Sequence, residues 1–186
     1  SFRDVNIAFA NELSIICDKL NINVWELIQL ANRHPRVNIL NPGAGVGGHC
    51  IPIDPWFLVE NTKSGEFIRL ARKVNDERPV IVANKVVEKI KVKGGNKIAI
   101  LGVAYKPNVD DCRETPAEPI LKYFQSEGFV VKYHDSHVPQ WQCERESDLN
   151  SIMDWADVAV IVTGHESYKQ LSQNEFLIDA CGILKQ

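Results

Sequence analysis

Between Asn41 and Pro55 the chain reads Asn-Pro-Gly-Ala-Gly-Val-Gly-Gly-His-Cys-Ile-Pro-Ile-Asp-Pro. Glycines let backbone approach a ligand closely and turn N–H groups inward as a nest for an anion or oxyanion. Cys50 stands at the end of that loop, with Asp54 four residues on. A thiolate beside several N–H donors has a lowered pKa and is a competent nucleophile, and a nearby carboxylate can position water or move a proton. The Gly45-Val46-Gly47-Gly48 core has a superficial likeness to a dinucleotide fingerprint. That motif needs a strand before it and an unbroken helix after it, and here Pro52 and Pro55 follow closely. The plain alternative is a Gly/Pro surface loop whose Cys50 is merely packed. Spacing alone does not choose between that loop and a nucleophile.

The other cysteines, Cys17, Cys112, Cys143 and Cys181, are widely spaced and form no CxxC or Cys/His cluster. Neither a metal site nor a disulfide framework is expected, and a reducing cytoplasm fits. Cys17 reads as helix core and Cys112 as an inert small hydrophobe. His49 adjoins Cys50 but reads as shape rather than base. His134, His137 and His165 fall near strand or loop ends and read as solvated.

The elements that must carry these residues divide the chain into two textures. Apolar residues recur at helical spacing from Phe2 to about Lys19, then from Trp25 to Asn32 after a turn at Asn21-Ile22-Asn23. The Pro/Gly run forbids regular structure until Pro55-Trp56-Phe57, and a long helical stretch follows from Phe67 to Lys91. Pro79 sits inside that stretch and predicts a kink or break. After Lys93-Gly94-Gly95-Asn96 the period changes. Short apolar runs at Lys97–Gly102, Phe129–Asp135, Asp157–Thr163 and Phe176–Asp179 alternate with helical segments at Pro116–Glu127 and around Ile152–Ala156. That alternation predicts right-handed crossovers and a doubly wound, Rossmann-like parallel sheet. The expected organisation is α/β: a mainly helical domain over 1–93 that carries the cysteine loop, and an α/β domain over 94–186. A long apolar helix stripe must bury against something, so the helical part predicts a homodimer interface.

Composition narrows the class. The 186 residues carry 21 Lys+Arg against 24 Asp+Glu, a formal charge of -3, and 45% are hydrophobic. A packed core is expected, with no electrostatic reason for binding nucleic acid or an acidic membrane. No apolar run reaches the roughly 18 residues of a membrane helix, and Ser1-Phe2-Arg3-Asp4 has no signal pattern. The first residue is not Met, and the chain holds one Met in all; it reads as an excised piece.

Three separated motifs resemble the UDP-glucose/GDP-mannose dehydrogenase family. They are Arg3-Asp4-Val5-Asn6-Ile7-Ala8-Phe9-Ala10-Asn11-Glu12-Leu13, then Pro42 through Phe57, then Ile100 through Pro116 with its Asp110-Asp111-Cys112-Arg113-Glu114 core. Within the family, Gly-Gly-His-Cys-Ile-Pro followed by Asp-Pro-Trp-Phe is similar to the branch that oxidises UDP-N-acetylmannosamine and related acetamido sugars. The resemblance implies oxidation of a sugar primary alcohol to a carboxylate, with two hydrides passed to two NAD molecules. Cys50 matches the nucleophile that captures the aldehyde as a thiohemiacetal and carries the later thioester. Asp54 matches the acid that helps activate water. Gly43, Gly45, Val46, Gly47 and Gly48 match the loop that wraps the sugar nucleotide. Arg36, or Arg33 in its place, could reach a nucleotide across a dimer interface, the alternative being a solvated charge. Lys106 matches a lysine on the nucleotide sugar, and Arg113 an arginine that reaches NAD. A Lys and an Arg at the carboxyl end of a first strand suit diphosphates. The alternative is that Asp110, Asp111, Arg113 and Glu114 form a local ion-pair and capping cluster.

Three departures bear on activity. The family's N-terminal NAD-binding domain, of about 200 residues, an ordinary domain size, is not in this sequence. Neither is a catalytic Lys with an Asn four residues later, which the family places just before the segment matching Ser1–Asp4. Near the end, Asp179-Ala180-Cys181-Gly182 stands where the family usually has Asp-x-Arg-Gly. The chain by itself is therefore expected to be inactive, and a non-catalytic nucleotide-sugar-binding or dimerisation module is the alternative reading.

Overall fold

The computed structural model describes residues 1–185. Helix α1 (Phe2–Leu20) ends where Asn21 turns left-handed. Asn23 then caps α2 (Val24–Ala31), its side-chain oxygen accepting from the amides of Trp25 and Glu26. The short α3 (Asp54–Val59) begins just beyond Cys50, and the long α4 (Glu66–Lys93) lies against α1.

Helix α4 runs through Pro79 without a break. An interior proline removes one backbone bond and costs about 3 kcal/mol. Here both halves of the helix are held from outside. The first half is fastened to α1 by Arg72 and Asn75, which bond Asp4. The second half contributes Val82, Ala83, Val86, Val87 and Ile90 to the core of the sheet that follows. Tertiary packing outweighs the local penalty.

That sheet comprises β1 (Lys97–Leu101), β2 (Val130–His134), β3 (Glu144–Arg145), β4 (Val158–Ile161) and β5 (Leu177–Asp179). All pairings are parallel and the order is β3-β2-β1-β4-β5. The two-residue strand β3 has no apolar run to announce it. Helices α5 (Ala117–Ser126) and α6 (Leu149–Trp155) supply the crossovers. Alternation in β1 separates two cores: Ile98 and Ile100 pack with α4 and α5, while Ala99 and Leu101 pack with α6 and Tyr168. Both faces are covered, as a doubly wound sheet requires. The sheet order reverses between β1 and β4, so the crevice lies beyond the carboxyl ends of these strands. The loop over 102–116, between β1 and α5, begins there. Among the described residues no helix is long and apolar enough to cross a membrane.

Candidate functional site

The glycine loop is fixed at its base by buried polar side chains from α1 and α4. The Gly43 amide donates to Asn11 Oδ1 at 2.9 Å, and its carbonyl accepts from Arg78 Nε at 2.8 Å. Asn11 Nδ2 donates to Asn75 Oδ1 at 2.9 Å, and Asn75 Nδ2 donates to Asp4 Oδ1 at 2.8 Å. Arg72 pairs with Asp4 and with Asp76. Asp4, Asn11, Arg72, Asn75 and Arg78 are all buried. Such groups lose water and must find partners, which makes this network a rigid mount for the loop. Sequence reasoning did not single it out; the available signal was polar residues at helical spacing on faces expected to be apolar.

The loop's middle is locked onto the 102–116 loop. The Gly48 amide donates to the Arg113 carbonyl at 2.9 Å. A Cβ at Gly47 would stand 2.6 Å from the Glu114 carbonyl oxygen and 2.9 Å from Tyr105 Cβ, and one at Gly48 would meet the Tyr105 ring at 2.9 Å. Gly45 is wedged between Pro116 and Pro79. At these positions glycine permits a close approach of loop to loop, which the sequence reading did not foresee.

Where the two loops meet they enclose a cleft of about 470 Å³. Cys50, Lys106 and Arg113 all line it, together with Gly45, Val46, Gly47 and Gly48. Arg3 and Ile7 of α1 also line it, positions the sequence reading quoted only within a motif. Cys50 is exposed. Among the described residues the amides of Gly45, Val46 and Gly47 have no hydrogen-bond partner within the chain, so donors remain for an anionic ligand.

Arg113 is held by Asp111 through Nε (3.0 Å to each carboxylate oxygen) and Nη2 (2.6 Å). Hydrogen bonds from Arg113 hold the Asp111 carboxyl down at about 2. The local ion pair and the cleft position therefore coexist in one arginine, whose side chain stays 68% exposed. Lys106 Nζ lies 5.5 Å from the centre of the Tyr105 ring and has no ion-pair partner among the described residues.

Three expected residues lie outside the cleft lining. Gly43 is half-buried at the base of the loop, held by Asn11 and Arg78. Asp54 sits one turn beyond Cys50, its amide donating to the Cys50 carbonyl at 2.8 Å, and its carboxylate is not in the lining. Arg36 is exposed in the turn after α2, its amide donating to His34 Nδ1 at 3.2 Å. Cys181 also stands apart: Asp179 Oδ1 accepts from its thiol at 3.3 Å, and Asp179 takes the amides of Gly182 and Leu184 as well. Gly182 faces the ring of Trp25 in α2. That turn staples the last strand to the helical part.

The remaining cysteines are held as thiols. Burial pushes Cys112 up to about 11 and Cys143 up to about 12, with neighbouring carboxylates adding to it, and it raises Cys181 further. The histidine expectation needs correction. His134 and His165 are buried rather than solvated, and of the three His137 alone is exposed. His165 sits within hydrogen-bond reach of Asp135, and His134 within reach of Tyr168. A strand-end position does not reveal whether a later loop will fold over it.

A doubly wound parallel sheet, with a cleft lined by Arg3, Lys106 and Arg113 where the loop after its first strand meets a helical segment that presents a thiol, defines a Rossmann-like α/β architecture. Comparison with known proteins narrows it. The profile of the "UDP-glucose/GDP-mannose dehydrogenase family, central domain" matches residues 1–77, and that of the same family's "UDP binding domain" matches residues 99–186. The chain belongs to this family. It is 49% identical over 175 residues to a UDP-N-acetyl-D-mannosamine dehydrogenase of Methanocaldococcus jannaschii, covering 94% of this chain and 40% of that relative. It is 45% identical over 203 residues to the Escherichia coli enzyme of the same name, covering 98% and 48%. Among solved structures, the UDP-D-ManNAc dehydrogenase of Pyrococcus horikoshii superposes with a TM-score of 0.89 at 36% identity, over 98% of this chain and 46% of that one. The chain thus spans less than half the length of these relatives.

Proposed function

We propose that these residues are part of an NAD-dependent nucleotide-sugar dehydrogenase that oxidises the primary alcohol of a UDP-N-acetylhexosamine to the uronate. The observation that carries this reading is a single cleft lined by exposed Cys50, Lys106, Arg113 and the glycine loop. Bound NAD would supply the hydride acceptor, one molecule for each of the two oxidations. Arg113, exposed and aimed by Asp111, is the residue of this chain suited to a dinucleotide's charge. Lys106 and the free loop amides would hold the diphosphate of the sugar nucleotide. The Cys50 sulfur would add to the aldehyde carbonyl, forming a C–S bond and an oxyanion. After hydride loss the resulting thioester is cleaved by water, which releases the carboxylate and restores the thiolate. Asp54, on the same turn as Cys50, would assist that water, and Arg36 would serve a second protomer's site in a homodimer. Five free cysteines fit a reducing cytoplasm.

A Cys50→Ser change in the full-length parent should stop the reaction at the aldehyde or stall it entirely, and normal uronate formation by that variant would refute the nucleophile. In calorimetry on the 186-residue chain we expect weak UDP binding, no NAD binding and no turnover, and a chain that binds no UDP would refute the nucleotide-sugar reading. NAD reduction by this chain alone with a UDP-sugar would overturn the expected inactivity.

A further inference from the structure

Lys106 lies on a short bridge, Tyr105-Lys106-Pro107, and both ends of that bridge are fastened to one buried side-chain pair. On the near side, Asp135 Oδ2 accepts from the amides of Val103 at 2.8 Å and Ala104 at 3.2 Å. On the far side, the Asn108 amide donates to His165 Nδ1 at 2.9 Å. The two anchors are joined, because His165 Nε2 lies 2.8 Å from Asp135 Oδ2. A backbone amide can only donate, so Nδ1 is the acceptor nitrogen; Nε2 then carries the hydrogen and donates to Asp135. Both side chains are 0% exposed. Two further bonds repeat the arrangement: Thr163 Oγ1 donates to the Ala104 carbonyl at 2.6 Å, and Asn108 Oδ1 accepts from the Glu166 amide at 3.2 Å.

We propose that His165 is a positioning residue for the nucleotide subsite, fixing Lys106 toward the cleft by holding the far end of its bridge while Asp135 holds the near end. This rests on the reading that Lys106 meets the nucleotide. The chemistry requires a side chain that accepts at one end and donates at the other, about 2.2 Å apart, which imidazole and a carboxamide both offer. Phenylalanine fills the same space and offers neither.

The test compares His165→Phe with His165→Gln in the 186-residue chain. In the absence of ligand, amide hydrogen exchange should rise about ten-fold or more at Val103, Ala104 and Asn108 in the Phe variant. Exchange at Ile100 and Val160 inside the sheet should stay unchanged, and Gln should restore protection. With UDP as the probe, His165→Phe should weaken binding by about ten-fold and His165→Gln by much less. In a Lys106→Ala background the Phe change should cost almost nothing, because its effect passes through Lys106. Unchanged exchange in the loop would overturn the proposal. So would loss of protection across the whole sheet that Gln does not rescue, or an equal loss of UDP binding with and without Lys106. If the unmodified chain binds no UDP, the nucleotide reading fails, and the exchange experiment still decides the anchoring.

Discussion

Cys50 differs from the chain's other thiols in its surroundings. It is exposed, whereas Cys112, Cys143 and Cys181 are each pushed upward by burial and by neighbouring carboxylates. Since the thiolate is the reactive form, iodoacetamide at mildly alkaline pH should label Cys50 first, by more than about ten-fold over Cys143 and Cys181. Peptide mapping by mass spectrometry after short exposures reads this order, and preferential labelling of Cys143 would contradict it. At this scale the sequence marked residues in an unusual local context that the fold brings to one cleft: a thiol after a glycine run, a Lys and an Arg just past a strand. His165 and Asp135 were not legible. Their roles depend on Asn108, which is 57 residues from His165 in the chain, and residue type alone does not separate a buried anchor from a solvated ring.

The two loops act as one element because glycine permits backbone contact between them. Gly47 is the tightest point, with a backbone carbonyl and the root of a tyrosine side chain where a Cβ would go. Neither neighbour can rotate away. Gly47→Ala should therefore force the loops apart, at a cost of about 1–3 kcal/mol. Thermal melting should register the loss, and UDP titration should register a weaker site. An alanine variant with unchanged melting temperature would mean that the loops yield more readily than their packing implies. Helices α1, α2 and α5 lay close to where apolar periodicity and turn residues predicted them. The Pro79 break did not occur, since packing on both sides of that residue outweighs its local cost, and β3 escaped notice because two residues carry no period.

Across the whole molecule, one buried carboxylate and one shared core tie the parts together. Burial alone would raise Asp135, but hydrogen bonds from His165 and from the Val103 and His137 amides outweigh it and bring its carboxyl to about 2. A carboxyl lower in the folded state than unfolded stabilises the fold above its unfolded pKa of about 3.9. That contribution is lost as pH falls toward about 2. Chemical denaturation between pH 5 and 2 should show this loss, and Asp135→Asn should flatten the slope while lowering stability at neutral pH. A variant that keeps the wild-type slope would exclude Asp135 as its source.

The division of the chain is the remaining question at this scale. Texture changes at residue 93, and the two family profiles stop at 77 and resume at 99. Yet Val82, Val86, Val87 and Ile90, inside that unmatched stretch, are at most 4% exposed and pack directly on the sheet. Burying a large aliphatic side chain contributes about 1.5–3 kcal/mol, so these four together rival the 5–15 kcal/mol that holds a typical domain folded. We therefore place the physical boundary within α4, near Pro79, rather than after it. A chain of residues 94–186 should lack a cooperative thermal transition and bind hydrophobic dye. One of residues 79–186 should melt cooperatively, since Pro79 then occupies the first turn of a helix, where proline is tolerated. Cooperative melting of the shorter piece would show that the sheet closes its core without α4, and the boundary would return to residue 93.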